Sequence, residues 1–220
     1  MSKQFKLINA KPDCGAVYCG LKHVQAENGK VIEEIDRQYP SGSLLSSLLI
    51  KDVTAPTSCY LIKKEVFDKV GLFDTELQAR QDWDMWIRIA EYYNIEAVPE
   101  NLVLYRHHEG ERTISDPWKE IRAYKAIRSK YQKLYGKLSS RNLSKANAAF
   151  HKRMGRVKFH QGISKSQALT HYFKACVLDP FDFDNYAALA GFFIPSGLRK
   201  FIHRAWNAIF GKTALAIRSH

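Results

Sequence analysis

Long apolar runs are missing from this sequence: none approaches the ~18 residues that a bilayer crossing requires, so no segment reads as a membrane-spanning helix. The first residues, Met1-Ser2-Lys3-Gln4-Phe5-Lys6-Leu7, lack the apolar block and small-residue site of a secretory leader. Cysteine is scarce. Cys14, Cys19, Cys59 and Cys176 form no C-x-x-C pair and have no His-rich partner spacing, which argues against a zinc site or a disulfide framework. They read as reduced thiols of a cytosolic protein.

Acidic residues are scarce in one half only. Residues 117–220 hold 20 Lys+Arg against 4 Asp+Glu, whereas residues 1–116 hold 14 against 18. That asymmetry points to a polyanionic partner for the C-terminal half, a membrane surface or nucleic acid; the alternative is a lysine-rich solvated helical surface. No RNA- or DNA-recognition motif and no aromatic stacking platform accompany the cations, so nucleic acid ranks last.

With 220 residues and 45% hydrophobic content, the chain can bury the core of one or two domains. Ala16–Val24 alternates apolar and polar residues, and Glu27-Asn28-Gly29-Lys30 supplies a hairpin turn before Val31–Ile35. Ser41-Gly42-Ser43 is placed to cap a short helix through Ile50. Pro56–Ile62 reads as a strand, and Lys63–Val70 as a helix ended by Gly71. A strongly patterned helix follows over Asp82–Tyr93. Two short strands, near Ile95–Val98 and Leu102–His108, are separated by Pro99. After Pro117 the pattern is helical: Trp118–Tyr135, then a pair over Ala146–His160 and Lys165–Leu178 closed by Asp179-Pro180. Ala168, Tyr172, Ala175 and Pro180 have the spacing of half a tetratricopeptide unit, and a single unit reads as a helical hairpin.

The helix over 82–93 carries the chemistry. Advancing about 100° per residue, it places Asp84, Arg88 and Glu91 on one side, a solvent face with an i, i+4 ion pair. Asp82 points the other way, among Trp86, Ile89 and Tyr93. A carboxylate opening an apolar face is either a cap for orphan amides or a working group. Asp82-Trp83-Asp84 spells D-x-D, but residues two apart on a helix diverge by ~200° and cannot chelate one ion. Asp182-Phe183-Asp184, after Pro180, suits capping better. Arg106 and His108 share one face of a strand, where a guanidinium and an imidazole suit a diphosphate, or the imidazole completes a metal shell. Trp83 and Trp86 at helical spacing read first as core, with sugar stacking as the alternative.

Five elements stand in a consistent order: Lys11-Pro12-Asp13-Cys14-Gly15-Ala16-Val17-Tyr18-Cys19, Glu27-Asn28-Gly29-Lys30-Val31-Ile32, Phe67-Asp68-Lys69-Val70-Gly71-Leu72-Phe73-Asp74, Gln81-Asp82-Trp83-Asp84-Met85-Trp86 and Tyr105-Arg106-His107-His108. In that order they resemble the acceptor-side half of the inverting family-two glycosyltransferases, over roughly residues 11–116. Thr75 replaces a common acidic residue of that pattern, and Gln81 stands for Glu in its E-D motif. The resemblance implies an α/β fold: a partial GT-A-type mixed sheet with helices over residues 1–116, followed by an all-α basic region over 117–220.

The implied activity is transfer of a sugar from a nucleotide-sugar donor to a glycan or lipid-linked acceptor hydroxyl with inversion. Asp82 would be the general base, with Gln81, Trp83 and Trp86 on the acceptor and Arg106 and His108 on the leaving diphosphate. The family's divalent ion, Mg or Mn, would find His108, but the strand and D-x-D motif that hold donor and metal do not precede Lys11. The chain therefore reads as the second half of a transferase, inactive until a donor-binding half, such as a separate chain, is supplied. The other reading is a non-catalytic adaptor derived from such an enzyme. Leu198–Phe210 sets Leu198, Ile202, Ala205 and Ile209 on one face and Arg199, Lys200, His203 and Arg204 mostly on the other. This fits either peripheral binding to the inner face of the membrane or docking on the chain's own domain.

Overall fold

A computed structural model describes residues 2–25, 29–34, 38–107 and 116–194. Helix α1 (Ser2–Ala10) leads into β1 (Cys14–Gln25), the strand on which the sheet is built. β4 (Asn94–His107) runs parallel along one edge of β1 from Cys14 to Gln25. A strand has only two edges, so the two antiparallel strands share the other one: β3 (Tyr60–Ile62) opposite Ala16–Tyr18, and β2 (Val31–Glu34) opposite Lys22–Val24. The mixed α/β architecture is thus the expected one.

Some local features depart from expectation. The alternation in β1 does not mark a half-exposed strand: Ala16, Val17, Tyr18 and Cys19 are each 0% exposed, because helices and loops cover both faces. Pro99 does not divide β4. The register slips from Cys19↔Val98 to Gly20↔Asn101, leaving Pro99 and Glu100 as a bulge where a missing N–H costs the ladder nothing.

Around the sheet lie α2 (Leu45–Ile50), α3 (Lys64–Val70) and α4 (Gln81–Tyr92). The Ser41-Gly42-Ser43 segment does not cap α2, whose first turn has no side-chain cap. Gly42 instead exchanges both backbone hydrogen bonds with Ile95, at 2.8 and 3.0 Å, fastening this loop to the start of β4. Gly71 ends α3 as expected, with φ +79° and its N–H on the Phe67 carbonyl at 2.9 Å.

The C-terminal half holds α5 (Pro117–Lys130), α6 (Gln132–Tyr135), α7 (Ser140–His160), α8 (Lys165–Leu178) and α9 (Phe183–Phe193). α7 and α8 form the anticipated hairpin, with Ala168, Tyr172 and Ala175 buried. Gly155 permits it, since a Cβ there would stand 2.9 Å from the Tyr172 ring. Asp182 caps α9, accepting from the Asp184 N–H at 3.0 Å. Ile127, Tyr131, Tyr135 and Ala146 belong to the same buried cluster as Val17, Trp83 and Trp86, so the core runs from the sheet into the helices. All four cysteines are free and buried. No helix among the described residues is long and apolar enough to cross a membrane. Leu198–Phe210, with its amphipathic pattern, lies outside the described residues.

Candidate active site

The site grows from the start of α4. Arg80, immediately before the helix, has φ +61° and ψ +26°, the left-handed region that a residue with a Cβ rarely adopts. Among the described residues it is the only non-glycine with positive φ. This turn brings the chain sharply into the helix and presents Asp82 in its first turn, where free amides and the helix dipole favour an anion. Asp82 is partly buried. Its Oδ1 accepts from the Trp83 N–H at 2.8 Å, and Oδ2 makes no hydrogen bond among the described residues. One oxygen therefore serves the helix and the other remains available.

Asp52, which sequence reasoning missed, acts on the same spot. It follows α2, and its Oδ1 accepts from the Thr54 N–H at 3.2 Å and the Thr54 hydroxyl at 3.1 Å. Burial and then the negative charge of Asp82 raise its pKa, while Thr54 and Arg80 work in the opposite direction. Two carboxylates thus share this corner. The only sequence signal was an ordinary Asp-x-Thr turn.

The left-handed turn is clamped by the helical half. The Arg80 guanidinium meets Glu120 of α5 at 2.7 Å, and Arg153 of α7 reaches the same oxygen. Burial disfavours the charge of Arg80, but Tyr124, Glu120 and Asp52 outweigh it and raise its pKa. Burial likewise raises that of Glu120, and the two arginines reverse the effect, holding it below the usual range. Removing Glu120 leaves two guanidiniums that are each 22% exposed without their shared anion. Glu120→Ala is expected to cost about 3 kcal/mol of unfolding free energy, the low end for breaking a buried pair. Urea denaturation checks this, and a loss below about 0.5 kcal/mol would mean that the clamp does not hold the turn.

Asp84 requires a correction. It does pair with Arg88, Nε to Oδ2 at 3.0 Å, but it is 0% exposed and does not lie on a solvent face. The end of α5 covers that side of α4: Lys130 reaches Oδ1 at 2.8 Å, and the Tyr131 hydroxyl donates to it at 2.7 Å. Lys130 also holds Asp74 at 2.7 Å. Arg88 donates to the carbonyls of Val70, Gly71 and Leu72, the last at 2.9 Å. The Val70–Asp74 run is therefore tied to α4 by Arg88 and Lys130.

The other candidate residues are distributed unevenly. Gln81 is partly buried and donates to the Leu77 carbonyl at 2.6 Å, next to Asp82 in the chain. Trp83 and Trp86 are core, 2% and 0% exposed, and offer no free ring face to a sugar. Trp83 Nε1 donates to the Leu48 carbonyl at 2.8 Å. Trp86 stacks on Tyr60 with centroids 3.6 Å apart, and its indole N–H has no partner among the described residues, so its apolar surface is what matters there. Arg106 is exposed opposite Val24, near the outer end of β4, and no hydrogen bond or ion pair joins it to Asp82. His108 lies outside the described residues.

A divalent ion finds no set of ligands among the described residues, where no three His, Cys, Asp or Glu side chains converge. Asp82 and Asp84 diverge as helical geometry requires, and Asp84 is already neutralised by two cations. The described residues do not fit the family's metal.

A sheet edged by a long parallel strand, a helix opening on an available carboxylate and a Val-Gly-x-Phe-Asp run tied to that helix agree with the outcome of sequence comparison. A family model described as glycosyltransferase like family 2 matches residues 1–170. The chain belongs to that family. The match runs from α1 into α8 and so includes the Glu120–Arg153 clamp as well as the sheet. No curated protein matches the chain. Membership of the glycosyltransferase-like family supports sugar transfer as the general activity, and the strongest local candidate for acid–base work is Asp82.

Proposed function

We propose that this protein is the acceptor-side part of an inverting glycosyltransferase of hexosyltransferase type, with Asp82 as its general base. The observation that carries this reading is the contrast between neighbouring carboxylates: Asp84 is locked by three partners, whereas Asp82 keeps one oxygen available at a helix start. The acceptor hydroxyl oxygen attacks the anomeric carbon, and its proton passes to Asp82. The bond from that carbon to the donor's phosphate oxygen breaks, and the nucleotide diphosphate leaves with the electron pair. Gln81 is proposed to help place a glycan or lipid-linked acceptor. Arg106, and His108 two residues further along the chain, are proposed to meet the leaving diphosphate. The donor itself would be held by a donor-binding half that is not part of residues 1–220, so these residues alone would not turn over. The test supplies such a half and measures transfer by wild type and by Asp82→Asn. Undiminished transfer by the variant would remove Asp82 from the mechanism.

A second reading, a non-catalytic adaptor, draws on the 20-to-4 cation excess of residues 117–220. It places the protein on an anionic membrane surface through that basic half. Liposome co-sedimentation with and without residues 195–220 tests the tail. Loss of binding on truncation is expected, and equal binding by both forms would count against the tail.

A further inference from the structure

Several cations among the described residues are matched to carboxylates where they gather. Lys3 pairs with Glu100, Lys152 with Asp182, Lys130 with Asp74 and Asp84, and Arg80 and Arg153 with Glu120. One group departs from that rule. On the facing sides of α7 and α8, His151 Nδ1 and His171 Nδ1 stand 2.8 Å apart, with ring centroids 5.1 Å apart. Both rings are partly buried. Lys174 of α8 and Arg128 of α5 act on His151, and His171 feels Lys158 of α7, Lys174 and Lys125 of α5. No carboxylate is among the groups that act most strongly on either ring.

We propose that the crossing of α5, α7 and α8 is a binding site for a phosphate-type oxyanion, centred on the His151–His171 pair. Four cations from three helices act on the two imidazoles, and an oxyanion bound there would relieve that repulsion. The side chains differ in what they can offer. Arg128 is turned onto the Ala146 carbonyl and the Asn147 side chain, and Lys158 onto Gln167, so these two chiefly supply charge. Lys125 and Lys174 are exposed and have no carboxylate partner among the described residues, which leaves their ammonium protons for the ligand. The imidazoles supply the switchable part. In a neutral pair one ring donates its Nδ1–H and the other accepts, so the pair can take up one further proton.

The field of the cations opposes that uptake. Burial first, and then the charges of His151 and the lysines, push the pKa of His171 down to about 4, and that of His151 also falls, through burial and then Lys174 and Arg128. The sign of the linkage follows. Unfolded histidine binds its proton near ~6.5, above the folded value, so the unfolded state carries more protons as pH falls between the two. The unliganded hairpin therefore loses stability over that window. A dianion bound beside the rings favours their protonated form, so anion binding and proton uptake reinforce each other. This site is independent of Asp82 and of sugar transfer.

The test uses the full chain and follows the ring resonances of His151 and His171 by NMR at constant ionic strength. Inorganic phosphate is added in one arm and chloride in another. Vesicles of phosphatidylcholine with or without phosphatidic acid form the remaining arms. The expected result is a saturable shift with phosphate, an upward movement of the His171 titration by at least tenfold in proton affinity, and at least tenfold weaker binding in the exposed double variant Lys125→Ala/Lys174→Ala. A response to phosphatidic acid vesicles and not to free phosphate supports the same site and assigns its anion to a lipid headgroup. Equal shifts with chloride, equal binding by the double variant, or no response in any arm would overturn the proposal. Unchanged unfolding of the double variant in phosphate-free buffer shows that lost binding is not lost folding.

Discussion

Asp84→Ala is expected to destabilise the protein by about 4 kcal/mol, the cost of leaving buried charges without their partner. Asp84 is 0% exposed and accepts from Arg88, Lys130 and Tyr131 at 3.0, 2.8 and 2.7 Å. Burial and the Asp84 charge together raise the pKa of Tyr131, so its hydroxyl remains a donor throughout the physiological range. Burial disfavours the charge of Lys130, but Asp74 and Asp84 overcome this and raise its pKa. Alanine would remove the centre of this arrangement and leave Arg88, Lys130 and the Tyr131 hydroxyl without their shared carboxylate. Since whole domains are stable by only about 5–15 kcal/mol, such a loss is a large share of the total. Asp84→Asn keeps an acceptor for Tyr131 and is expected to lose less than alanine. Urea unfolding measures both, and a loss below about 1 kcal/mol for alanine would mean that the buried contacts do not bind the helices to α4.

Asp82→Asn is expected to leave unfolding almost unchanged while lowering sugar transfer by about 10²–10⁴-fold, the usual contribution of a positioned general base. Asparagine retains an oxygen for the Trp83 N–H, so the helix start is preserved. What it loses is the ability to take a proton from the acceptor hydroxyl. The effect should therefore fall on kcat and not on acceptor binding, because the proton moves only in the transition state. A cap with no catalytic role predicts the reverse pattern, with stability as the main loss on change to alanine and transfer unaffected.

Much of the frame around these two residues was legible in the sequence, because it is set by local patterns. The antiparallel pairing of β1 with β2, the stop at Gly71, the α7–α8 hairpin and the Asp182 cap each depend on residues a few positions apart. Asp84 was misplaced because a helical wheel knows only its own helix, and the groups that bury this carboxylate, Lys130 and Tyr131, come from α5 and the turn after it. Arg80 carried no turn signature; its left-handed backbone is held by Glu120 and Arg153, far away in sequence. Pro99 suggested a break, yet β1 accepts a bulge at Gly20 opposite it. Trp83 and Trp86 followed the ordinary rule for aromatic residues at helical spacing and went to the core.

The most direct measurement is the pH dependence of single-turnover sugar transfer, with a donor-binding half supplied, for wild type and Asp82→Asn. A carboxylate base must be ionised, so the wild-type rate is predicted to fall on the acid side and the variant's low residual rate to lack that limb. An acid limb of the same shape in Asp82→Asn, with an unreduced plateau, would show that another group takes the proton.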